Sequence, residues 1–266
     1  AFDALDANRA RLVASVGNAL EAAEQAERNA MQAGLFDLGG GEDCPTCHYV
    51  ETAPWSEREQ LMQEKQALGF FLSGHPFHAY AKEIGAFVKR RLGQIEPSRD
   101  PVLIAGVVMS TRTQMTRRGK MAVVMLDDGT TQREVTVFNE LWEAQRAKVR
   151  EDEILLVEGK VQDDAFSGGL RITADKLHTL GEARGRFARG LRLTMNGGSD
   201  ARRLQSLLGP YRANGEGGCP VRVAYRNGEA SVELPLPPAW GVRLDDELLA
   251  GLSAWLHADN VKVIYP

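Results

Sequence analysis

Residues 121–138 read Met-Ala-Val-Val-Met-Leu-Asp-Asp-Gly-Thr-Thr-Gln-Arg-Glu-Val-Thr-Val-Phe, and this stretch decides the fold of the middle of the chain. Met121–Leu126 is an apolar run of strand length, and Glu134–Phe138 alternates polar and apolar residues with the period of two of a half-buried strand. Between them, Asp127-Asp128-Gly129-Thr130 has the residue types that hairpin turns favour. The stretch therefore predicts two antiparallel strands joined by a tight turn.

Three further strands flank this hairpin. The pattern predicts one strand before it at Val102–Arg112 and two after it at Ile154–Val161 and Leu170–Leu177, with a short helix over Leu141–Val149. The order strand, strand, strand, helix, strand, strand is that of a five-stranded OB barrel, whose helix lies between the third and fourth strands. We therefore predict an OB-fold nucleic-acid-binding domain over residues 98–181.

Helical patterns dominate the chain before the barrel. Apolar residues recur at helical spacing from about Asn8 to Ala33. Ser56, followed three residues later by Glu59, is a capping box that begins a second helix. The predicted ranges are a helical tail over 1–38, a linker over 39–54 and a second helical segment over 55–97.

A third unit is predicted after the barrel, over residues 188–266. Gly181–Gly190 reads as a basic, glycine-rich linker. Beyond it, Asn227-Gly228 between two alternating apolar runs is a strong hairpin signal, and helices are predicted over Asp200–Leu208 and Asp245–His257. The whole chain is predicted to be a multi-domain α+β protein, with an N-terminal helical segment, a five-stranded OB-fold β-barrel and a small C-terminal α+β domain.

Length and composition narrow the class of protein. The chain has 266 residues, of which 43% are hydrophobic and 26% charged, as in ordinary soluble globular proteins of two or more domains. No apolar run reaches the roughly 18 residues of a membrane helix, so no membrane partner is expected. Three cysteines favour a reducing compartment, and we expect a cytoplasmic protein. The chain opens without Met and inside a helical pattern, which we interpret as a fragment of a longer polypeptide.

The first loop of the predicted barrel is basic. The net charge of the chain is −4, so nucleic-acid binding would have to come from such a local patch. OB folds bind single strands on the face of strands two and three and in the loops joining strands one and two and strands four and five. The predicted nucleic-acid-binding residues of the first loop are Arg112, Arg117, Arg118 and Lys120.

The loop between the fourth and fifth strands adds three candidates. Lys160 and Arg171 lie on the strands that flank this loop, and Phe166 at its tip can stack on a base. Cations for phosphates together with a flat apolar face suit single-stranded nucleic acid. The alternative is a solvated basic hairpin on a protein-binding OB domain.

Gln32-Ala33-Gly34-Leu35-Phe36 lies at the end of the first predicted helix. Gly34 suits the left-handed residue that follows a helix, and Leu35 the hydrophobic contact after it. This leaves Phe36 unexplained in front of three glycines. Adjacent apolar anchors on a flexible segment are what a peptide needs to fill a pocket on a partner.

Cys44-Pro45-Thr46-Cys47-His48 lies in the predicted linker. The C-x-x-C spacing is half of a zinc site, but two further ligands at suitable spacing are missing, and we interpret the segment as a linker that contains two thiols. The sequence contains no P-loop, Ser-His-Asp arrangement or pair of catalytic carboxylates that stands out. We therefore assign no catalytic residue, metal ligand or cofactor to this chain.

Taken together, these segments resemble the C-terminal part of the alpha subunit of bacterial DNA polymerase III, nearly over the whole length and in the family's order. Glu64–Pro76, which reads Glu-Lys-Gln-Ala-Leu-Gly-Phe-Phe-Leu-Ser-Gly-His-Pro, is the most specific segment of the resemblance. The other segments are Ala1–Leu5, Gln32–Phe36, Arg117–Ala122 and Val135–Phe138.

The resemblance implies a role for each part. Gln32, Leu35 and Phe36 would bind the sliding clamp (the beta subunit), the barrel would hold single-stranded template DNA, and the region over 191–266 would contact the tau subunit of the clamp loader. The full chain would be a DNA-directed DNA polymerase that uses Mg²⁺. Its catalytic carboxylates would lie upstream, so this fragment would not polymerise DNA by itself.

Two other classes of function stay open from the residues alone. One is a stand-alone single-stranded nucleic-acid-binding OB protein with protein-interaction arms. The other is a metal-dependent enzyme that uses Cys44, Cys47 and histidines. The Glu64–Pro76 segment favours the polymerase interpretation over the first, and the missing second ligand pair disfavours the other.

Overall fold

The computed structural model describes residues 3–31, 49–116, 119–164, 169–196, 198, 200–213, 218–227 and 230–266. The chain forms two compact units, Ala1–His75 and Pro76–Pro266. The boundary between them falls inside the segment predicted over 55–97, because the residues after His75 pack on the barrel.

The first unit contains two helices, α1 (Arg9–Met31) and α2 (Glu57–Leu68). Ser56 begins α2 as predicted: its hydroxyl accepts the Glu59 backbone N–H, and the Glu59 carboxylate accepts the Ser56 N–H. The helix ends at Gly69, whose φ of 82° is the left-handed conformation that glycine adopts without strain.

A buried carboxylate joins the two helices of this unit to the turn that follows them. Glu64 of α2 is 6% exposed. It accepts the backbone N–H groups of Leu72 and Ser73, both at 2.8 Å, and the guanidinium of Arg9 on α1 at 2.7 Å. One side chain therefore fixes the start of the Ser73-Gly74-His75-Pro76 segment.

The second unit begins with α3 (His78–Ile84), followed by the five strands of a closed barrel. The barrel order is β1-β2-β3-β5-β4, with β3 and β5 parallel and the other neighbours antiparallel. The predicted OB barrel is confirmed, including the helix α4 (Asn139–Gln145) between the third and fourth strands. The strand bounds are β1 (Ser98–Thr116), β2 (Gly119–Asp127), β3 (Gln132–Val137), β4 (Ile154–Asp163) and β5 (Leu170–Thr179).

The predicted turn at 127–130 does more than join two strands. Asp128 is completely buried. Its carboxylate accepts the backbone N–H groups of Thr130 at 3.0 Å and Thr131 at 3.1 Å, and also that of Leu92 at 2.9 Å, in a short 3-10 helix before the barrel. The turn aspartate thus attaches the segment entering the barrel to the β2–β3 hairpin.

The barrel has an apolar cluster on its outside as well as its inside. Alternate residues of β1 and β4 point outward, including Ala105, Val107 and Leu156. They are covered by Phe77, which directly precedes α3, and by Ile84, the last residue of α3. A further helix, α5 (Leu180–Phe187), covers the same wall with Leu180 and Ala183. Helices therefore cover this part of the outer surface.

The helix α5 corrects the sequence analysis, in which Gly181–Gly190 was predicted to be a linker. Thr179 and Glu182 form a capping box at its N-terminus, with Thr179 accepting the Glu182 N–H and Glu182 accepting the Thr179 N–H. The cap and the burial of apolar residues on the barrel outweigh the helix-weakening effect of Gly181 and Gly185.

The C-terminal part contains a four-stranded sheet of order β8-β7-β6-β9, in which β6 and β7 are parallel. The two helices of this part bury leucines such as Leu204, Leu208, Leu248 and Leu252 against Leu191 and Leu193 of the sheet. This agrees with the predicted small α+β domain. The element bounds are β6 (Gly190–Asn196), α6 (Ala201–Leu208), β7 (Val221–Arg226), β8 (Ser231–Pro235), α7 (Asp246–Leu256) and β9 (Val261–Ile264).

Arg184 of α5 connects the barrel to this C-terminal domain. Its side chain is 3% exposed. Nε and Nη2 donate to the two carboxylate oxygens of Glu83 on α3 at 2.7 and 2.8 Å, and Nη1 donates to Asp246 on α7 at 2.6 Å and to the Leu244 carbonyl at 3.3 Å. The Tyr265 hydroxyl also donates to Glu83. A guanidinium from the predicted linker therefore holds three helices together.

We expect the Glu64 contacts to weaken at acid pH. Burial would raise the pKa of Glu64, but hydrogen bonds from Ser73, Leu72 and Arg9 outweigh it and lower the pKa from 4.5 to about 2. A carboxylate whose pKa is lower in the folded than in the unfolded chain contributes its full stabilisation at pH values above the unfolded pKa of 4.5. This stabilisation is lost as the pH falls from 4.5 towards the folded pKa of about 2. Hydrogen-exchange protection of the Leu72 and Ser73 amides, corrected for intrinsic rates, should therefore fall across this window. In Glu64→Gln the protection of these two amides should be low and independent of pH. In the control Glu57→Gln, on the same helix, it should change with pH as it does in the unaltered chain.

We expect Arg184→Met to lower the free energy of unfolding by about 3–5 kcal/mol, because it leaves Glu83 partly buried without its counter-charge. Arg186→Met is the matched control on the same helix, because Arg186 is 46% exposed and its ion pair with Glu158 should be worth at most about 1 kcal/mol. Urea unfolding of both variants measures the difference. Equal losses for the two variants would show that the buried network contributes nothing specific.

Candidate nucleic-acid interface

Strand pairing places one row of residues across all five strands of the barrel. The row is Arg112, Val123, Thr136, Thr173 and Lys160, each paired in register with the next. Paired residues project from the same face of a sheet, and the chain neighbours Ala122, Ile172 and Val161 point into the barrel core. The row therefore lies on the outer wall, and at about 4.8 Å per strand it extends for roughly 19 Å.

An irregularity in β1 is what places Arg112 on this wall. Val108 points into the barrel core, and strict alternation would send residue 112 inward as well. The register with β2 shifts between Val108 and Ser110, so Thr111 pairs with the buried Val124 and Arg112 turns outward. A β-bulge thus exchanges the two faces of the strand before it reaches the predicted basic loop.

Arg112 is exposed but is not an unpaired cation. Its side chain is 60% exposed, and Nη2 donates to the Glu134 carboxylate on β3 at 2.7 Å. A phosphate at this position would have to compete with Glu134. The sequence identified Arg112 correctly as a surface cation but could not show its partner 22 residues away.

The predicted residues of β4 and β5 lie together on the same outer wall. Arg171 is paired in register with Gln162, next to the Lys160–Thr173 pair. Arg171 donates to Asp164 at 3.1 Å. Lys160 is exposed, and among the described residues no carboxylate lies within ion-pair distance of it. Lys160 is therefore the better placed of the two for a phosphate.

An open groove of about 740 Å³ lies beside Lys160, between the start of β1 and the end of β4. Arg99 and Ser98 line it from β1, and Lys160, Gln162 and one carboxylate, Asp163, line it from β4. Arg99 was not among the predicted residues, because it lies where the predicted helical segment over 55–97 ends and before the first predicted strand begins at Val102. The signal that identifies it is the pairing of Ser98 with Val161, which brings Arg99 to the end of β4.

The tip of the β1–β2 hairpin combines a cation with an exposed apolar side chain. Lys120 is half-buried and is paired in register with Met115, which is 84% exposed. Met115 was not among the predicted residues, because the prediction for this loop rested on its cations. An exposed thioether beside a lysine offers an unpaired base an apolar contact next to a phosphate contact.

Several predicted residues lie outside the described residues, and their roles stay predictions. They are Gln32, Leu35, Phe36, Cys44, Cys47, Arg117, Arg118 and Phe166.

Metal and thiol chemistry finds no support in the described part of the chain. No group of three or more His, Cys, Asp or Glu side chains there is placed to hold a metal ion. Burial raises the pKa of the Cys219 thiol to about 11, so it stays protonated near neutral pH. No helix within the described ranges combines the length and apolarity needed to cross a membrane.

Two family models match parts of this chain. Residues 102–180 match the family model "OB-fold nucleic acid binding domain", and residues 203–256 match "DNA polymerase III subunit alpha, C-terminal domain". The chain is 37% identical over 265 residues to DNA polymerase III subunit alpha of Neisseria meningitidis, and 34% identical over 274 residues to that of Escherichia coli K12. Each alignment covers 99% of this chain and 23% of the relative, so the chain spans about a quarter of their length.

Among solved structures, the second OB-fold domain of replication protein A from Methanococcus maripaludis is similar to part of this chain. The match is 21% identical, covers 34% of this chain and 93% of the replication protein A chain, and has a TM-score of 0.28.

Proposed function

Since this chain belongs to the alpha-subunit family of bacterial DNA polymerase III and matches its C-terminal domain, we propose that it holds DNA and tethers the replicative polymerase without carrying the chemistry itself. The full-length protein would be a cytoplasmic DNA-directed DNA polymerase that uses Mg²⁺, with its catalytic carboxylates upstream. The relation over 99% of the chain favours this function over a stand-alone single-strand-binding protein.

The barrel would hold the single-stranded template. The observation that carries this role is the row from Arg112 to Lys160 on the outer wall, whose two cationic ends are exposed. Lys160 and Arg99 would bind successive phosphates in the groove, and the hydroxyls of Thr136 and Thr173 could donate to phosphate or base oxygens between the two ends of the row. Arg112 would bind a further phosphate once that phosphate displaces the Glu134 carboxylate from its guanidinium.

The segment from Gln32 to Phe36 would bind the sliding clamp. Burial of Leu35 and Phe36 in an apolar pocket is worth roughly 3–6 kcal/mol before the cost of ordering the segment. A contact of this size is strong enough to tether the polymerase and weak enough to be released. Residues 188–266 would contact the tau subunit of the clamp loader, a role supported only by the family match over 203–256.

We expect the double variant Arg99→Gln/Lys160→Gln to weaken binding of a fluorescent oligo(dT) and to flatten its salt dependence. Loss of two phosphate contacts should reduce the slope of log K against log salt by about 1.4, at roughly 0.7 per contact for single strands. Fluorescence anisotropy over a salt series measures both. An unchanged slope would remove the groove from the interface.

The ion pair at the other end of the row predicts opposite effects for its two partners. Arg112→Gln should weaken oligo(dT) binding less than Lys160→Gln, because Arg112 already pairs with Glu134. Glu134→Gln should strengthen binding, because it removes the competing carboxylate. Weaker binding by Glu134→Gln in the same anisotropy titration would contradict the proposed competition.

We expect Leu35→Ala/Phe36→Ala to lower clamp affinity by at least about 100-fold, since two apolar truncations remove about 3 kcal/mol or more. Surface plasmon resonance on immobilised clamp measures this. Val16→Ala/Leu20→Ala on α1 truncates two apolar side chains that are already exposed and should bind as the unaltered chain does. Equal clamp affinity of the two double variants would rule out the tether at this segment while leaving the barrel's role intact.

A further inference from the structure

The C-terminal sheet carries a row of cations on the face turned away from its helices. Lys262 on β9, Arg192 on β6 and Arg222 on β7 are paired in register across three adjacent strands. Their chain neighbours, including Leu191 and Leu193, are buried against α6 and α7. Because successive side chains of a strand alternate between faces, the three cations share the opposite face.

Further residues of this face, which we call the basic sheet face, strengthen its charge. Arg226 follows Arg222 on the same side of β7, so the face carries four cations. Among the described strand residues of this face, Glu233 is the one acidic side chain, and it lies 4.0 Å from Nε of Arg192, at the outer limit of an ion pair. Four positive charges against one negative stand out in a chain whose net charge is −4.

The three outer cations are open to solvent. Arg222, Arg226 and Lys262 are exposed, and Arg192 is half-buried between them with a buried Nε that has no hydrogen-bond partner. Adjacent strands hold Lys262, Arg192 and Arg222 at about 4.8 Å per step, so these three positive groups stand close together and repel one another. An anionic ligand would relieve this repulsion.

We propose that the basic sheet face binds the sugar–phosphate backbone of double-stranded nucleic acid. Arginine guanidinium groups bind phosphate in bidentate fashion. Single-strand sites add aromatic side chains on which bases stack, whereas the other described residues of this face include Thr194, Ala224 and Ser231 and no aromatic ring. Cations without a stacking surface suit a duplex, whose bases are already stacked.

This site is distinct from the barrel interface in both ligand form and residues. It rests on the proposed function only in assuming that the chain works beside DNA. The barrel would hold the single strand, and the basic sheet face would hold paired product or template. An acidic protein segment is the competing ligand, because a carboxylate-rich chain offers the same charge.

The test uses the full chain and a fluorescent duplex of about 20 base pairs in a salt series. Arg222→Gln/Lys262→Gln should weaken duplex binding at least tenfold at low salt and reduce the slope of log K against log salt by about 1.8, at roughly 0.9 per contact. The matched control Arg202→Gln/Arg203→Gln removes the same charge from α6, on the other layer of the domain, and should leave most of the affinity. Thermal unfolding of each variant checks that the fold is intact.

Two further arms separate the possible failures. The barrel variant Arg99→Gln/Lys160→Gln should lose oligo(dT) affinity but keep duplex affinity. Unchanged oligo(dT) affinity in this variant would overturn the role of the barrel groove and leave the basic sheet face untouched. Polyglutamate serves as the probe for an acidic segment. Equal loss of duplex binding in the α6 control, or loss of polyglutamate binding with unchanged duplex binding in Arg222→Gln/Lys262→Gln, would overturn the proposal.

Discussion

Arg184 is the residue on which the arrangement of the second unit depends. A guanidinium that is 3% exposed must find its counter-charges inside the protein, because an unpaired charge there costs several kcal/mol. Its partners Glu83 and Asp246 belong to helices on either side of it, so the arrangement that satisfies all three is narrowly defined. The helix that carries Arg184 also covers one wall of the barrel. The same element that joins the barrel to the C-terminal domain therefore decides which barrel surface is left for a ligand.

The described cations divide into those already paired and those available to a ligand. Arg112 and Arg171 each have a carboxylate partner, whereas Arg99 and Lys160 line an open groove. This distinction matters more than the number of cations, since a paired arginine must give up its ion pair before it binds a phosphate. The barrel and the C-terminal sheet then offer two surfaces of different chemistry: the barrel has an exposed thioether near its cations, whereas the described strand residues of the basic sheet face include no aromatic ring.

The strands and most helices could be predicted because their signals are local. The alternation of 121–138 and the capping box at Ser56 depend on residues within a few positions of each other. Arg184 could not be identified, because its partners lie 101 and 62 residues away and two glycines beside it suggest a linker. The roles of Glu134 and Arg99 were missed for the same reason, as strand register decides which distant residues meet. The C-terminal row required a parallel pairing that no local pattern shows.

The bulge in β1 has a consequence for how this barrel tolerates sequence change. The strand has one extra residue between Val108 and Ser110. Before this bulge the even-numbered residues face the core, and after it the odd-numbered residues do. Deletion of one residue at the bulge would restore strict alternation from Val108 onward, so Thr111 would still face inward and Arg112 outward. Straightening the bulge at unchanged length would instead send Arg112 inward. The two faces of this strand therefore depend on the bulge being kept whenever the number of residues is kept.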